Sequence, residues 1–333
     1  MNTDERLAQL TAWVRQFAGL ADANPVPASG DASFRRYFRV CGDDSFIVMD
    51  APPPQEDCHP FVAIAGYLAD MGLNAPRVIE ADLERGFLLL SDLGSTQYLD
   101  ELESDPAAAG KMYQDALDAL LVLQRQGRKM QSNLPPYDNE LLHLELSLFH
   151  DWLCERHLGI QFSAADEDAW QACCGALVSD AMRQEKVFVH RDYHSRNLML
   201  TGNNNPGILD FQDAVEGPLT YDLVSLLKDC YVKWPAAQIA ERANYFYERL
   251  SDRSKASGED EFIRYFDLMG VVRHLKAAGI FARLLHRDGK TGYLKDIPRT
   301  LSYIVDIAPQ YAELGFLGDL IGERVLPALA EAD

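Results

Sequence analysis

Short apolar stretches separated by turn residues dominate residues 1–93 and predict a small β-rich lobe. One predicted hairpin turns at Gly42–Asp44, and the prolines at 52–54 end its second strand, because proline cannot donate to a β-ladder. Helical spacing of apolar residues predicts one helix after Thr3 and another near residues 60–71. The predicted strands are 35–40, 45–49, 73–81 and 86–90.

The rest of the chain is dominated by helical periodicity. Three short apolar strands interrupt it, at 187–189, 198–200 and 208–209. The sequence therefore predicts an α+β fold with two lobes: a small β-rich N-terminal lobe over residues 1–93 and a large, mainly helical C-terminal lobe over residues 94–333. The predicted helical segments of the second lobe are 112–123, 141–153, 170–182, 219–232 and 259–286.

Acidic and amide residues with the spacing of a phosphoryl-transfer site follow these short strands. Asp192 comes after the first strand, Asn197 stands five positions later, and Asp210 ends the third strand after the turn 203–207. In kinases one aspartate orients and deprotonates the attacking hydroxyl, while an amide and a second carboxylate hold Mg²⁺ on the nucleotide phosphates. The pattern predicts Asp192 as the base and Asn197 and Asp210 as Mg²⁺ ligands. An ordinary hairpin with polar turn residues is the alternative, but it leaves the spacing unexplained.

The same segment departs from protein kinases in ways that indicate a small substrate. His194 stands where protein kinases usually carry a lysine. The run His-x-Asp-x-His-x-x-Asn resembles the signature of the aminoglycoside phosphotransferase and choline kinase group, which implies a protein-kinase-like fold and action on small molecules. Asp210 and Phe211 are followed by Gln212 instead of glycine, and only about ten residues separate them from Tyr221. That length leaves no room for an activation segment that docks polypeptides, and His194 is a candidate for contact with a small substrate.

Two segments of the predicted N-terminal lobe are candidates for binding ATP. The turn 29–34 can cover phosphates with backbone N–H groups and a serine hydroxyl, although a plain hairpin turn explains it equally well. Segment 91–93 resembles the kinase hinge, whose backbone binds adenine; a solvent-exposed turn is the alternative. The candidate residues are Ser29, Gly30, Ser33, Ser91, Asp92 and Leu93.

The phosphate-binding lysine of kinases has no counterpart in this chain. Met49 occupies its place on the strand 46–49, and the following helix lacks the glutamate that pairs with that lysine. Phosphate neutralisation would then rest on Mg²⁺ and on Arg35, Arg36 or Arg39, since the arginine fork suits phosphate. Surface arginines on an edge strand are the alternative. A catalytically dead kinase is disfavoured, because the predicted base and both predicted metal ligands are present.

Two further sets of residues bear on substrate binding and on the loop of the base. Arg273 and Lys276 fall near one face of the long helix 259–286, which indicates either an anion-binding group or a solvated basic face. Asp222, at the start of a helix after the loop 217–218, is predicted to brace the loop of Asp192. His190 is likewise predicted to brace this loop and not to act as an acid or base.

Composition favours a globular cytoplasmic enzyme. The 333 residues are 47% hydrophobic and 25% charged, and 51 acidic against 31 basic residues give a net charge of −20, which disfavours nucleic acid or an anionic membrane as partner. The first ten residues are acidic and helical, unlike a signal peptide, and no apolar run approaches the ~18 residues of a membrane span. The six cysteines have no metal-binding spacing, so buried free thiols in a reducing compartment are expected.

Several longer blocks resemble one family more closely than the group at large. SGDASFRRYFRV, FIVMDAPPP, LLLSDLG, HRDYHSRN, ILDFQDAVEGPLTYDLVSLLKDCY and VRHLKAAGIFARL, spanning residues ~29–283, are similar to the bacterial anomeric kinases for N-acetylmuramate and N-acetylglucosamine. In that family Met49 is part of the pattern. The resemblance implies ATP-dependent phosphorylation of the sugar at C1 in peptidoglycan recycling, with the product passed to a nucleotidyltransferase.

Two other functions stay open at the level of sequence. One is a kinase for another small hydroxyl compound, such as an aminoglycoside, choline or another amino alcohol, or homoserine. The other is a non-catalytic, nucleotide-sensing regulator of cell-wall metabolism. An acidic substrate site would favour a cationic acceptor, whereas aromatic and neutral polar residues with an arginine would favour a sugar that carries a lactyl group.

Overall fold

The computed structural model describes residues 3–30, 34–42 and 44–332. The chain forms two compact units. The first, here called the sheet unit, contains the described residues of 1–104 together with 197–213, and the second, the helical unit, contains those of 105–196 and 214–333. The sheet unit therefore includes the segment of Asn197 and Asp210, which the predicted boundary after Leu93 assigns to the second lobe.

A five-stranded antiparallel sheet with strand order β1-β2-β3-β5-β4 forms the centre of the sheet unit. The first helix buries Leu10, Trp13 and Val14 in a core cluster that also contains Val40 and Val48 of the sheet. The helices and strands of this unit are α1 (Thr3–Val14), β1 (Val26–Gly30), β2 (Arg36–Cys41), β3 (Ser45–Asp50), α2 (His59–Asp70), β4 (Val78–Asp82), β5 (Phe87–Ser91), α3 (Tyr98–Ser104), β7 (Leu198–Met199) and β8 (Gly207–Ile208).

The helical unit is organised around its longest helix, α9, which packs against α5, α6, α7 and α10. Its remaining strands, β6 and β9, pair with each other in antiparallel register. A π-helical segment, Phe149–His157, continues from α5 and also packs on α9. The elements are α4 (Ala109–Gly127), α5 (Asn139–Leu148), α6 (Ala164–Arg183), β6 (Lys186–Val189), β9 (Val215–Pro218), α7 (Tyr221–Leu227), α8 (Ala236–Arg249), α9 (Glu259–Asp288), α10 (Ile297–Ile307), α11 (Gly315–Asp319) and α12 (Leu326–Ala332).

The five-stranded sheet followed by a helical region confirms the predicted α+β class. Two local predictions are wrong. Residues 217–218, predicted as a loop, belong to the strand 215–218, which pairs with β6 because its backbone completes the ladder of the buried Val187–Val189. The helix predicted over 219–232 extends only from Tyr221 to Leu227, since the side chain of Asp229 accepts the N–H of Tyr231 and turns the chain.

None of the helices within the described residues is both long enough and apolar enough to cross a membrane. The six cysteines all have free thiols; five of them are buried and Cys41 is exposed.

Candidate active site

The loop that carries Asp192 is fixed by a buried carboxylate at the start of α7. Asp222 accepts the backbone N–H of His190 at 2.6 Å and that of Arg191 at 3.0 Å. Arg191 has a φ of 78°, in the left-handed region, so the loop turns sharply where Asp222 holds it. Burial raises the pKa of Asp222 to about 7, even though the two N–H donors lower it. These are the contacts that a bracing residue would make.

The buried side chains of His190 and Tyr193 also anchor this loop. His190 is fully buried, and its Nδ1 accepts the N–H of Asp192 at 3.2 Å. Tyr193 is also fully buried, and its hydroxyl donates to the carbonyl of Ala116 on α4 at 2.8 Å. Asp192 itself is half-buried. Hydrogen bonds from residues before and after Asp192 therefore fix the backbone around the predicted base before any ligand binds.

A second carboxylate, Asp229, braces the end of this loop. Its Oδ2 accepts the N–H of Ser195 at 3.0 Å, and its Oδ1 accepts the N–H of Tyr231 at 2.9 Å. Sequence reasoning missed this residue, because Asp229 lies inside a predicted helix and no spacing pattern marks it.

Three cations of the helical unit act electrostatically on Asp192. Burial raises the pKa of the Asp192 carboxyl, but nearby positive charges, led by Lys276 and including Arg273 and Arg191, outweigh this and hold the pKa below its ordinary range. Asp192 is therefore ionised at neutral pH. A carboxylate with a low pKa orients a hydroxyl well but is a weak base, which suits a transition state with little proton transfer.

Lys276 belongs to a buried cluster around Glu145 of α5. Its Nζ lies 2.9 Å from Glu145 Oε1 and 2.9 Å from the Tyr221 hydroxyl. Arg191 also pairs with Glu145 Oε1, and the Tyr137 hydroxyl donates to Oε2. Glu145 shares the apolar face of its helix with buried leucines at 142 and 146, and an acid in that position was the signal that sequence reasoning missed.

Arg273 and Lys276 are 5% and 8% exposed, so the alternative that they form a solvated basic face is wrong. Arg273 Nη1 lies 3.3 Å from the Cys230 sulfur. His194 stands beside the Tyr231 ring, 5.4 Å between centroids, and burial lowers its pKa, so its imidazole is neutral at neutral pH. Its buried Nδ1 makes no hydrogen bond within the part of the chain that the structure describes.

The two predicted metal ligands lie together in the sheet unit. Strands β7 and β8 pair Leu198 with Ile208, and the N–H of Leu209 donates to the carbonyl of Asn197 at 2.9 Å. This ladder brings Asn197 Nδ2 within 3.3 Å of Asp210 Oδ2. Gln212, which sequence reasoning did not assign, donates to Asp210 Oδ1 at 2.8 Å. It stands where protein kinases carry glycine, and here it orients the aspartate.

Each arginine proposed to replace the missing lysine has a carboxylate partner in the sheet unit. Arg35 pairs with Glu56 at 2.9 Å, Arg36 with Asp50, and Arg39 with Asp92 at 2.6 Å. The strand of Arg36 and Arg39 is not an edge strand, because β2 has β1 on one side and β3 on the other. The charge of Asp213, close in sequence to Asp210, also acts on Arg35.

At the position where kinases carry the phosphate-binding lysine, this chain has a buried methionine, and a buried acid follows it. Met49 and Asp50 are both 0% exposed. Asp50 is satisfied by two arginines: Arg6 Nε lies 2.8 Å from its Oδ1, and Arg36 Nε lies 2.9 Å from its Oδ2. Arg36 is thus occupied in holding a core carboxylate, and phosphate binding by any of the three arginines stays a prediction.

The other nucleotide-binding candidates lie at the ends of β1 and β5 and in the segment after β5. Ser29 and Gly30 end β1, and Ser33 lies outside the described residues. Ser91 ends β5, and its hydroxyl accepts the N–H of Arg77 at 2.9 Å. Besides Arg39, Asp92 accepts the hydroxyl of Ser45 at 2.6 Å and the N–H of Gly94 at 2.9 Å. The Leu93 side chain packs close to Gly207 of β8. Roles for these residues in binding adenine or phosphate stay predictions.

Comparison with known proteins identifies the class. Residues 25–258 match the model of the phosphotransferase enzyme family, and the chain belongs to that family. The choline kinase LicA from Streptococcus pneumoniae is similar in structure, with a TM-score of 0.61 at 12% identity, over 89% of this chain and 98% of that one. This likeness confirms the predicted protein-kinase-like fold.

Closer relatives share a single name. The chain is 46% identical to the N-acetylmuramate/N-acetylglucosamine kinase of Pseudomonas aeruginosa over the whole of both proteins. It is 48% identical to the protein of the same name from Pseudomonas putida, over 96% of this chain and 97% of that one. The family resemblance stated from the sequence blocks is thereby confirmed.

Proposed function

We propose that this protein is an ATP-dependent kinase that phosphorylates the C1 hydroxyl of N-acetylmuramate and N-acetylglucosamine. The observation that carries the proposal is full-length similarity, at 46% and 48% identity, to kinases named for these two sugars. The braced, ionised Asp192 in a kinase-type loop supports it from the chemistry of this chain.

The reaction transfers one phosphoryl group. The Asp192 carboxylate accepts the hydrogen bond of the C1 hydroxyl and takes its proton, while the sugar oxygen bonds to the γ-phosphorus of ATP. The bond from the γ-phosphorus to the bridging β–γ oxygen breaks, and ADP leaves with that electron pair. An anomeric hydroxyl is more acidic than a primary alcohol, and it becomes more acidic still as its oxygen bonds to phosphorus, so even the weakly basic Asp192 carboxylate receives the proton late in the transfer.

The donor set of the β7–β8 hairpin fits Mg²⁺. Asn197 and Asp210 supply an amide oxygen and a carboxylate on side chains in mutual contact, and hard oxygen ligands are those that Mg²⁺ prefers. The ion would neutralise charge on the ATP phosphates when bound. Gln212 holds Asp210 Oδ1, which limits the rotation of this carboxylate.

The charges around the base oppose a cationic acceptor. Four acids in the helical unit lie along residues 190–196, here called the base loop, or contact its bracing residues, and four cations lie among them. Because Asp222, with a pKa of about 7, is only partly ionised at neutral pH, these eight groups carry no surplus of negative charge for an amino alcohol or an aminoglycoside. The acids are Glu145, Asp192, Asp222 and Asp229, and the cations are Arg191, Arg196, Arg273 and Lys276.

The product chemistry places the enzyme early in a salvage sequence. A sugar 1-phosphate is the substrate type of nucleotidyltransferases, which make UDP-sugars, so we infer that such an enzyme consumes the product. Supply of ATP and of sugars released from the cell wall would place the reaction in the cytoplasm.

Phosphorus–proton correlation spectroscopy of the product tests the proposal. The enzyme is incubated with ATP, Mg²⁺ and each sugar, and phosphorus coupling to H1 is the expected result. Coupling to the C6 protons would show a sugar kinase of different regiochemistry. Turnover of choline, homoserine or an aminoglycoside without turnover of either sugar would overturn the proposed function. Absence of turnover with every acceptor, together with ATP binding, would favour a nucleotide-sensing regulator.

A further inference from the structure

Arg196 is the last residue of the base loop before the predicted metal ligand Asn197, and the mechanism above does not use it. Its guanidinium carbon lies 4.4 Å from the centroid of the Tyr231 ring and 5.6 Å from that of Tyr293. The side chain is half-buried. Two aromatic rings therefore hold a partly desolvated cation at the end of the loop that carries Asp192.

No carboxylate of the described residues pairs with this cation. Among the residues that the structure describes, Arg196 has no ion-pair partner, and Asp296, whose charge acts on it, is itself paired with Arg299 at 2.8 Å. Its loop neighbour Arg191, by contrast, is neutralised by Glu145. Besides its contact with the two rings, the guanidinium shares a hydrogen bond with the Tyr231 hydroxyl, and its five N–H donors leave others for an anion from outside the chain.

The aromatic surroundings of Arg196 are themselves fixed. The N–H of Tyr231 is bound by Asp229, and its carbonyl accepts Arg299 Nη1 at 3.1 Å. The Tyr293 ring stacks on Phe281 of α9, 5.6 Å between centroids. The rings are thus held by both backbone and packing contacts, and they restrict the orientation of the guanidinium plane before a ligand arrives.

The two proposed substrates differ in one anionic group. N-acetylmuramate is N-acetylglucosamine with a lactyl ether at O3, which adds a carboxylate to the same ring that carries the reacting C1 hydroxyl. A residue that binds this carboxylate must therefore lie within about one sugar ring of the base. Arg196 stands four positions after Asp192 in the same braced loop.

We infer that Arg196, oriented by Tyr231 and Tyr293, binds the lactyl carboxylate of N-acetylmuramate. The inference rests on the proposed function and names the residue that distinguishes its two sugars. N-acetylglucosamine is neutral and makes no ion pair with Arg196. Its binding also breaks no ion pair of Arg196 within the described residues, so the site accepts this sugar as well. The guanidinium keeps its contacts with the two rings in either complex.

The test compares both sugars on Arg196→Gln and Arg196→Lys. For Arg196→Gln, kcat/KM with N-acetylmuramate should fall about 10- to 100-fold, the usual range for a lost charge-assisted hydrogen bond, and kcat/KM with N-acetylglucosamine should change by less than about threefold. Arg196→Lys keeps the charge but loses the fork, and should give an intermediate loss with N-acetylmuramate only. The loss should lie mainly in KM, since the carboxylate is remote from the bond that breaks.

A substrate change tests the same contact without altering the protein. Wild-type enzyme should turn over the lactamide analogue of N-acetylmuramate with a kcat/KM lowered by a factor similar to that of Arg196→Gln on the acid. Arg196→Gln should no longer distinguish acid from amide. This comparison stays decisive even where a variant at position 196 folds poorly.

Arg242 provides the matched control. Its guanidinium lies 4.3 Å from the Tyr113 ring centroid and 4.8 Å from that of Trp234, in the same unit but on α8. Arg242→Gln should leave the ratio of the two sugars unchanged. Equal losses with both sugars in Arg196→Gln, or a raised KM for ATP, would overturn the inference and assign Arg196 to a step common to both reactions. Failure of wild-type enzyme to phosphorylate either sugar would instead contradict the proposed function.

Discussion

Asp192 is ionised because cations from α9 offset the effect of burial. The loop around Asp192 supplies only Arg191 as a permanent cation among the groups that lower its pKa, whereas Lys276 and Arg273 come from the distant α9. In protein kinases a lysine inside the loop usually stands at the position of His194, which here is neutral. The leading cation that acts on Asp192, Lys276, therefore comes from α9 and not from the loop.

Replacing the proposed base should remove turnover and leave nucleotide binding nearly intact. Asp192→Asn keeps the size of the side chain but cannot accept the proton, and loss of a positioned base typically costs about 10²–10⁴ in rate. The loss should appear in kcat, while the dissociation constant of ATP measured by calorimetry stays close to that of the wild type. A variant that keeps more than about a tenth of the wild-type kcat would show that Asp192 is not the base.

The pH profile should report the influence of Lys276 on Asp192. Lys276 is the leading cation that lowers the pKa of the Asp192 carboxyl, so Lys276→Met should raise that pKa. If Asp192 is the base, it acts when ionised and activity is lost as pH falls through its pKa, so the acid limb of kcat/KM should move to higher pH in the variant. Lys276→Arg keeps the charge and should restore the limb. A fall in kcat with an unmoved acid limb would mean that Lys276 does not act through Asp192.

Loss of either predicted metal ligand should raise the Mg²⁺ requirement, but by different amounts. Asp210→Ala removes a full charge and Asn197→Ala only a dipole, so the apparent Mg²⁺ requirement should rise in both variants and rise more for Asp210→Ala. Titration of activity against Mg²⁺ at fixed ATP measures it. Gln212→Ala, which removes only the hydrogen bond to Asp210 Oδ1, should give a smaller increase. An unchanged requirement in the Asp210 and Asn197 variants would refute the metal roles.

At the scale of elements, α9 both carries Arg273 and Lys276 and forms the centre of the helical unit. Its position depends on a close approach at Gly279. A Cβ at this glycine would lie 2.3 Å from the carbonyl carbon of Leu148, where α5 passes into the π-helical segment. The contact involves backbone on both sides, so neither partner can rotate away.

Gly279→Ala should therefore destabilise the protein, by about 1–3 kcal/mol in the free energy of unfolding, as overpacking does in other cores. Gly175 on α6 is the matched control, because nothing lies within 4 Å of its added Cβ. Gly175→Ala should stabilise by about 0.5–1 kcal/mol, the helix-propensity difference. Urea unfolding of the three proteins measures both effects. Equal stability of Gly279→Ala and wild type would show that α9 can shift without cost.

For the whole molecule, the dominant electrostatic property is a net charge of −20. Like charges repel more strongly in the compact state than in the unfolded chain, so this excess opposes folding. Ion pairs such as Lys276–Glu145 are buried and are screened little by salt. The repulsion among exposed acids is screened readily.

The melting temperature should consequently rise when sodium chloride is increased from about 10 to 200 mM, a range in which the Debye length falls from roughly 30 to below 10 Å. Differential scanning calorimetry without Mg²⁺ or ATP isolates this effect from ligand binding. A melting temperature that falls with salt would mean that attractive surface pairs outweigh the repulsion.

The sequence by itself determined the order and spacing of the candidate catalytic and metal-binding residues along the chain. The spacing of Asp192, Asn197 and Asp210 was readable because a β-hairpin is local, and its pairing needs only neighbouring residues. The α+β class was readable from hydrophobic period for the same reason. Longer blocks were sufficient to identify the family, which the full-length relatives confirm.

Only the tertiary structure decided which charges act on these groups. Glu145, Asp229 and Lys276 reach the base loop or its bracing residues from three separate segments, and no local pattern records such distant contacts. The burial of Arg273 and Lys276 could not be read from α9, because that helix carries buried residues on most of its faces and so shows no polar side. Likewise, β9 is a strand only because β6 needs a partner. Local periodicity determines elements, whereas the ionisation of Asp192 depends on which distant side chains the fold brings to it.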